Sequence, residues 1–288
     1  MRVLSTVSSM RDAMKTARRD SPGKIVGLVP TMGALHEGHL SLVREARASC
    51  DCVVTTIFVN PLQFGPHEDL GKYPRTFERD CEMLSAEGVD VVFAPTVEEM
   101  YPAGAATVVD VPEIGSRLDG ASRPGHFRGV ATIVTKLFHI VQPHRAFFGQ
   151  KDAAQVAVLR PMVRDLNFDL ELITCPIVRE ADGLAMSSRN RYLSASERSQ
   201  ALALHAALTE VENEFKRGNR DVTSLRSVLR ERLERAPGVR MDYAEIVDQH
   251  TLGPVSDSRA GALVAVAAWV GETRLIDNIL LPGEGTTR

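Results

Sequence analysis

Up to Cys175 the chain alternates short apolar runs with amphipathic stretches, and this alternation restricts the fold more than any other feature. The strand-like runs are Arg2–Leu4, Lys24–Val29, Val53–Val59, Val89–Ala94, Val108–Val111, Ala146–Phe148 and Leu170–Thr174. Between them lie a polar helix beginning near Ser5 or Thr6 and helical patterns over Leu40–Ala48, Phe77–Glu87, Val130–Val141 and Ala153–Leu166. Apolar strands separated by one-sided helices bury their surfaces as a mostly parallel sheet covered on both faces. The expected class is α/β with a Rossmann-like parallel sheet. Ligands in such sheets bind beyond the carboxyl ends of the strands, where the strand order reverses.

The pattern changes after Arg179. A loop over Ala181–Arg191 leads to a long helical stretch, Ala195–Arg217, whose start carries Ser194 and Glu197 at capping-box spacing. A second helix over Val222–Glu234 precedes three strand-like runs, Met241–Val247, Leu263–Val270 and Thr273–Leu281. Helices followed by adjacent strands predict a smaller C-terminal α+β domain with an antiparallel sheet. The boundary is expected near Ile177–Val178, giving a sheet domain over 1–177 and a C-terminal α+β lid domain over 178–288, with the tail Pro282–Arg288 frayed.

At 288 residues there is ample length for two domains, and 44% hydrophobic with 25% charged residues is ordinary for a soluble globular chain. A net charge of −3 gives no drive towards nucleic acid or an anionic membrane, so any basic site must be local. No apolar run approaches the roughly 20 residues that span a bilayer, and Met1–Asp20 lacks the apolar core of a secretory signal. Cys50, Cys52, Cys81 and Cys175 match neither a zinc ribbon nor a C-x-x-C pair, and read as reduced thiols of a cytoplasmic protein.

The densest chemistry follows the strand at Lys24–Val29. Pro30-Thr31-Met32-Gly33 reads as a turn, and the next helix opens on His36 and His39. Turn N–H groups and a helix N-terminus both favour anions, and imidazoles three residues apart share one face. A zinc-protease pair needs H-E-x-x-H, whereas this spacing is H-E-G-H, so phosphate rather than metal is the expected ligand. Gly38 lets a ligand approach the backbone. The loop Met186-Ser187-Ser188-Arg189-Asn190 offers two hydroxyls and a guanidinium, a phosphate clamp or simply the polar loop ahead of Ser194. Glu180-Ala181-Asp182-Gly183 before it reads as a turn on which such a lid moves.

Phe147-Phe148-Gly149-Gln150-Lys151-Asp152 ends another strand at a helix mouth. Lys151 is a mobile positive charge for phosphate, Asp152 a ribose acceptor or only a helix cap, and Gln155 faces inward one turn later. Phe58-Val59-Asn60-Pro61-Leu62-Gln63 ends a further strand with two amides suited to a hydroxy or carboxylate group, although an Asn-Pro turn with no ligand fits equally. Arg123 and Arg128 sit in a glycine-flanked loop, Arg123–Gly129, where an anion contact is expected.

Taken in order, V-P-T-M-G-A-L-H-E-G-H-L, F-V-N-P-L-Q-F-G, Y-P-R-T, R-P-G-H-F-R-G-V, F-G-Q-K-D, M-S-S-R-N-R-Y-L and D-Y-A-E-I-V-D resemble the pantothenate synthetase family from about Val3 to Leu281. His36–His39 is similar to the HIGH-type motif of the nucleotidylyltransferase and class I aminoacyl-tRNA synthetase superfamily. Met186–Arg189 is similar to its KMSKS-type loop, with Ser-Ser-Arg replacing the usual lysine-bearing end. The resemblance implies ATP-dependent joining of (R)-pantoate to β-alanine through a pantoyl adenylate, with Mg²⁺ accompanying ATP and a homodimer as the assembly. It implies catalytic roles for His36, His39, Lys151 and Arg189. ATP contacts are implied at Pro30, Thr31, Met32, Gly38, Gly149, Asp152, Val178, Met186, Ser187 and Ser188, and pantoate contacts at Met32, Asn60, Gln63 and Gln155. Asp80 is the candidate protein ligand of the metal. Two other readings share the phosphate residues: a nucleotidyltransferase that stops at the nucleotidylated product, and a nucleotide-binding regulator without catalysis.

Overall fold

The computed structural model describes residues 1–66 and 68–284. Nine strands form two sheets among these residues: β1 (Arg2–Leu4), β2 (Val26–Thr31), β3 (Cys52–Ile57), β4 (Val91–Phe93), β5 (Arg145–Gly149), β6 (Glu171–Cys175), β7 (Val239–Val247), β8 (Ala262–Val270) and β9 (Thr273–Leu281). The helices are α1 (Val7–Asp20), α2 (Glu37–Ser49), α3 (Phe77–Ala86), α4 (Val97–Met100), α5 (Pro112–Gly115), α6 (Asp119–Ser122), α7 (His126–Val141), α8 (Ala153–Asp165), α9 (Ala195–Lys216) and α10 (Val222–Glu234). The first sheet runs β1-β4-β3-β2-β5-β6 with every pair parallel, and the second is antiparallel, β7-β8-β9. This is the expected Rossmann-like sheet with a smaller α+β part behind it.

Alternation along each central strand divides the core into two faces. Val26, Leu28, Cys52, Val54, Val91 and Phe93 point to the face covered by α1, α7 and α8. Val29, Val53, Val92 and Phe147 point to the face covered by α2 and α3. A further core lies between α9, α10 and the antiparallel sheet. Strand β8 serves both sides: Val264, Val266 and Ala268 pack on the helices, whereas Leu263 and Ala265 join the core of the parallel sheet. The two sheets therefore share buried apolar surface.

The chain builds β2, β3 and β4 in one direction and then returns to lay β5 on the other side of β2, so the strand order reverses between β2 and β5. Those two strands pair only at Gly27↔Arg145 and Leu28↔Ala146, although each continues beyond against its outer neighbour. Pro30 has no N–H with which to extend a ladder. A crevice opens at the place the architecture reserves for a ligand.

Several local expectations differ from the structure. Val108–Val111 is no strand, because Val109 N–H donates to Thr132 Oγ1 at 3.0 Å rather than to a neighbouring strand, while the hydroxyl itself donates to Arg128 O at 2.7 Å. The Arg123–Gly129 segment is a short turn followed by the first turn of α7, which begins at His126 after Gly125 in the left-handed region. In the tail, Glu284 N–H donates to Arg259 O at 2.7 Å, and residues 285–288 lie outside the described residues. The loop expected to move is tied down at its base by the bridge Arg179↔Ala185 and by Met186 N–H donating to Val178 O at 3.0 Å. All four cysteines are free, and burial pushes the Cys50, Cys52 and Cys175 thiols up, the last to about 11.

Gly129 shows how closely α7 abuts the turn after β3. A Cβ there would lie 2.2 Å from Leu62 O and 2.7 Å from Gln63 N, both backbone atoms that cannot swing aside. Gly129→Ala is expected to destabilise the protein by about 1–3 kcal/mol, the usual cost of overpacking. An unchanged urea midpoint would show that the turn shifts without cost.

Candidate active site

The turn after β2 is held by a buried carboxylate. Gly33 and Ala34 both have positive φ, +81° and +51°, the second strained for a residue with a side chain. Asp80, 1% exposed on α3, accepts from Ala34 N–H and Leu35 N–H at 2.9 Å each and from Thr76 Oγ1 at 3.1 Å. Thr31 Oγ1 accepts from Gly33 N–H at 3.2 Å and donates to Thr56 O at 2.5 Å. The turn N–H groups expected to face an anion are thus satisfied inside the protein. Asp80, the candidate metal ligand, spends both oxygens on them and is buried. Its work is to fix the turn, and among the described residues no group of three His, Cys, Asp or Glu side chains is placed to hold a metal.

The free donors lie one step later. His36 is the N-cap of α2, and the N–H groups of Glu37 and Gly38 in its first turn have no intrahelical acceptor. The His36 and His39 rings stand 4.1 Å apart. His39 Nδ1 accepts from His36 N–H at 3.4 Å, which puts the proton of the neutral ring on Nε2 and leaves that nitrogen as the donor. Burial first, and the Lys151 charge second, lower the His36 pKa to about 4. Burial, then His36 and Lys151, hold His39 well below its ordinary value. Both imidazoles are neutral at pH 7. His36 Nδ1 is buried with no hydrogen-bond partner.

Other candidates gather around one cleft of about 1100 Å³ between the two sheets. Lys151, Asp152, Gln155, Ser187 and Arg189 all line it, whereas His36, His39 and Gln63 do not. Lys151 Nζ lies 3.8 Å from Asp152 Oδ1. Arg189 presents its fork to Asp69, with Nε–Oδ2 at 3.0 Å and Nη2–Oδ1 at 2.9 Å. Burial raises the Asp69 pKa, but the Arg189 hydrogen bonds and charge outweigh it and hold the carboxyl below its usual value. Ser188 Oγ lies 3.5 Å from Tyr73 OH, and Ser187 caps the short turn that follows by accepting from Arg189 N–H. A Cβ on Gly38 would come 3.0 Å from the His36 ring and 3.6 Å from Met186 Cβ, so the absence of a side chain there brings the loop against the histidines.

On the other side, Gln63 Nε2 points at Met32 Sδ, 3.0 Å away. Asn60 is fully engaged inside the protein: Nδ2 donates to Gln63 Oε1 and Gly129 O at 3.1 Å each, and Oδ1 accepts from Tyr101 OH at 2.9 Å. Asn60 therefore orients the Gln63 amide. Arg123 is bound to Glu68 at 2.5 Å and to Gln63 O at 3.2 Å, so the anion expected near Arg123 is a side chain of the protein itself. Asp69, Glu68 and Tyr101 were missed in the sequence, since each acts through a residue distant along the chain.

The family model of pantoate-beta-alanine ligase matches residues 2–280. The chain belongs to that family. It is 58% identical to the pantothenate synthetase of Koribacter versatilis, over all of this chain and 98% of that one. The crystal structure of the Thermus thermophilus pantothenate synthetase superposes with a TM-score of 0.91 at 50% identity, covering 97% of this chain and 99% of that one. The pantoate-beta-alanine ligase of Francisella tularensis, solved in complex with beta-gamma ATP and beta-alanine, superposes with a TM-score of 0.79 at 30% identity, with 97% of each chain covered. The chain is thus a ligase of pantothenate biosynthesis. No helix among the described residues is long and apolar enough to cross a membrane.

The neutral histidines carry a pH signature. Their folded-state values lie below the ordinary 6.5, so the unfolded chain binds more protons between pH 6.5 and about 4. The associated stability is fully present above pH 6.5 and is lost as pH falls through the folded value. His36→Gln is expected to remove part of that acid-side slope in urea titrations across this window. An identical slope in the variant would show that His36 is not held neutral by the fold.

Proposed function

We propose that this site condenses (R)-pantoate with β-alanine in two steps. A pantoate carboxylate oxygen attacks the α-phosphorus of ATP, forming a P–O bond as the α–β bridging bond breaks and pyrophosphate leaves. The β-alanine amine then attacks the carbonyl of the pantoyl adenylate, the amide bond forms, and AMP departs with the acyl oxygen that pantoate gave it. The observation that supports this reading best is the convergence of Lys151 and the Ser187–Arg189 loop on one cleft, with the Lys151 charge felt by both histidines behind it.

Each residue has a role that its surroundings support. His36 and His39, neutral and beside the orphaned N–H groups of α2, donate to the phosphates and to charge growing on the departing pyrophosphate. Lys151 supplies positive charge without a fixed geometry, and Arg189 offers phosphate the planar fork it now gives Asp69. Ser187 and Ser188 add hydroxyl donors. Gly149 and Asp152 take the ribose side, Pro30, Thr31, Met32, Gly38, Val178 and Met186 bound the nucleotide, and Gln63 and Gln155 hold pantoate against Met32. Asn60 serves pantoate through Gln63. The chemistry is positioning and charge stabilisation, in keeping with described site residues among which no nucleophile is paired to a base.

Mg²⁺ is taken as part of the nucleotide substrate, since the described acidic and histidine side chains do not cluster to form a cage for it. A cytoplasmic location and a homodimeric assembly complete the proposal on family resemblance alone.

ATP–pyrophosphate exchange tests the first step. Exchange should depend on pantoate and proceed without β-alanine. His36→Ala and Lys151→Ala should each lower its kcat by about 10²-fold or more, as expected on losing a preorganised charge-stabilising group. Exchange without pantoate would favour a different acceptor, and near-normal turnover in a folded Lys151→Ala variant would remove Lys151 from the phosphate site.

A further inference from the structure

Strand β9 of the antiparallel sheet carries a buried carboxylate and a buried amide side by side, Asp277 at 3% and Asn278 at 2% exposure. Neither belongs to a motif that the nucleotide-binding reading uses. Asn278 Nδ2 donates to Gln150 O at 3.0 Å and to Lys151 O at 2.9 Å, while its Oδ1 accepts from Gln150 Nε2 at 3.0 Å. Carbonyl oxygens only accept, so the amide can face them only with its NH₂ group, and its orientation is set by chemistry.

The two carbonyls occupy special positions. One belongs to the peptide plane before the Lys151 Cα and the other to the plane after it. Because peptide planes are rigid, one side chain restrains both φ and ψ of Lys151, and with them the direction of its Cα–Cβ bond. A lysine side chain is a flexible stem with a point charge at its tip, so its root is the part a protein can preset. Asp277 makes a parallel attachment. Its carboxylate accepts from Arg179 at 2.6 and 3.0 Å and from Asn278 N–H at 2.8 Å, and Arg179 Nη1 also donates to Gly183 O at 3.1 Å. Two consecutive residues of β9 thus fasten the root of Lys151 and the base of the Ser187–Arg189 loop.

We propose that Asn278 is a positioning residue for the adenylation step, reaching from the antiparallel sheet to aim Lys151 at the ATP phosphates. The proposal rests on the reading of Lys151 as a phosphate-binding group. It makes the C-terminal sheet part of the catalytic frame.

The experiment measures pantoate-dependent ATP–pyrophosphate exchange in the full-length protein for Asn278→Ala, for Asn278→Asp, which keeps the shape but loses both donors, and for Lys151→Ala with and without Asn278→Ala. The expected result is a loss of about 10- to 100-fold in kcat/KM for ATP in each Asn278 variant, as a small misplacement of a catalytic group produces. The KM for pantoate should stay within about twofold, because Gln63 and Gln155 are not held by Asn278. In the Lys151→Ala background, Asn278→Ala should cost nothing further, the non-additivity of a residue that acts through another. A full additional loss in that background, equal damage to the pantoate KM, or wild-type exchange in both single variants would overturn the proposal. Failure of both single variants to fold would do the same, by assigning Asn278 to the fold. Absence of pantoate-dependent exchange in the wild type would instead strike at the functional reading on which this inference stands.

Discussion

The site depends on a sheet that comes apart at one seam. Strands β2 and β5 share a ladder only through Leu28 and Ala146, and beyond that point each is paired with its other neighbour alone. A parallel sheet buried on both faces has no other place where backbone and side chains can reach a ligand together. The Pro30 ring ends the ladder, the Met32–Leu35 turn leaves on one side of the gap, and the Gln150–Asp152 turn leaves on the other. His36, His39, Lys151 and Asp152 all descend from the two strand ends that flank this seam.

Charge is arranged around the seam with an economy that follows from burial. Lys151 approaches two imidazoles that the protein keeps neutral, a state imposed by burial and strengthened by the lysine. Protonated histidines there would add two more like charges to a site without a ligand, at a cost that pairing could not recover. As neutral rings they avoid that charge penalty and, on the proposed function, still have an N–H to offer phosphate. Arg189 meets the same problem differently: Asp69 offers it a carboxylate with the bidentate geometry a phosphate would offer. A flexible lysine, two neutral imidazoles and an arginine paired with Asp69 form a site whose charge is tolerable without a ligand.

The sheet was legible because apolar runs and amphipathic periods report burial locally. β2 to β6 and the long helices stand within a few residues of their sequence-derived positions, and the strands and helices of the C-terminal part lie closer still. The failures have a common cause. Val108–Val111 is apolar and extended, but its Val109 N–H is taken by a threonine hydroxyl on α7, which no pattern in the segment itself records. Asp80 carries an acidic group into the neighbourhood of the histidines, yet its role is decided by two N–H groups more than forty residues earlier in the chain. Arg123 reads as an anion site until Glu68 is placed beside it. The residues proposed to touch a ligand were visible as motifs. The residues that hold them were not, because their partners are chosen by tertiary structure.

That division of labour explains why the antiparallel sheet is built so firmly into the molecule. Strand β8 is buried on both faces and contributes Leu263 and Ala265 to the core of the parallel sheet. Arg274 on β9 bonds Asp119 on α6 at 2.7 Å as well as Asp242 on β7, and Tyr243 OH reaches the other Asp119 oxygen at 3.1 Å. A part that served only as a cover would need a looser joint than this buried network. Asn278 and Asp277 stand on the same strand as Arg274, so the apolar interface and the ion pairs fix the position from which those two residues act. If Lys151 and the Ser187–Arg189 loop bind phosphate as proposed, the loop needs a firm base and the flexible lysine a rigid root. The tight joint between the sheets supplies both, which is why stability at the interface and aim at the phosphates are one structural requirement.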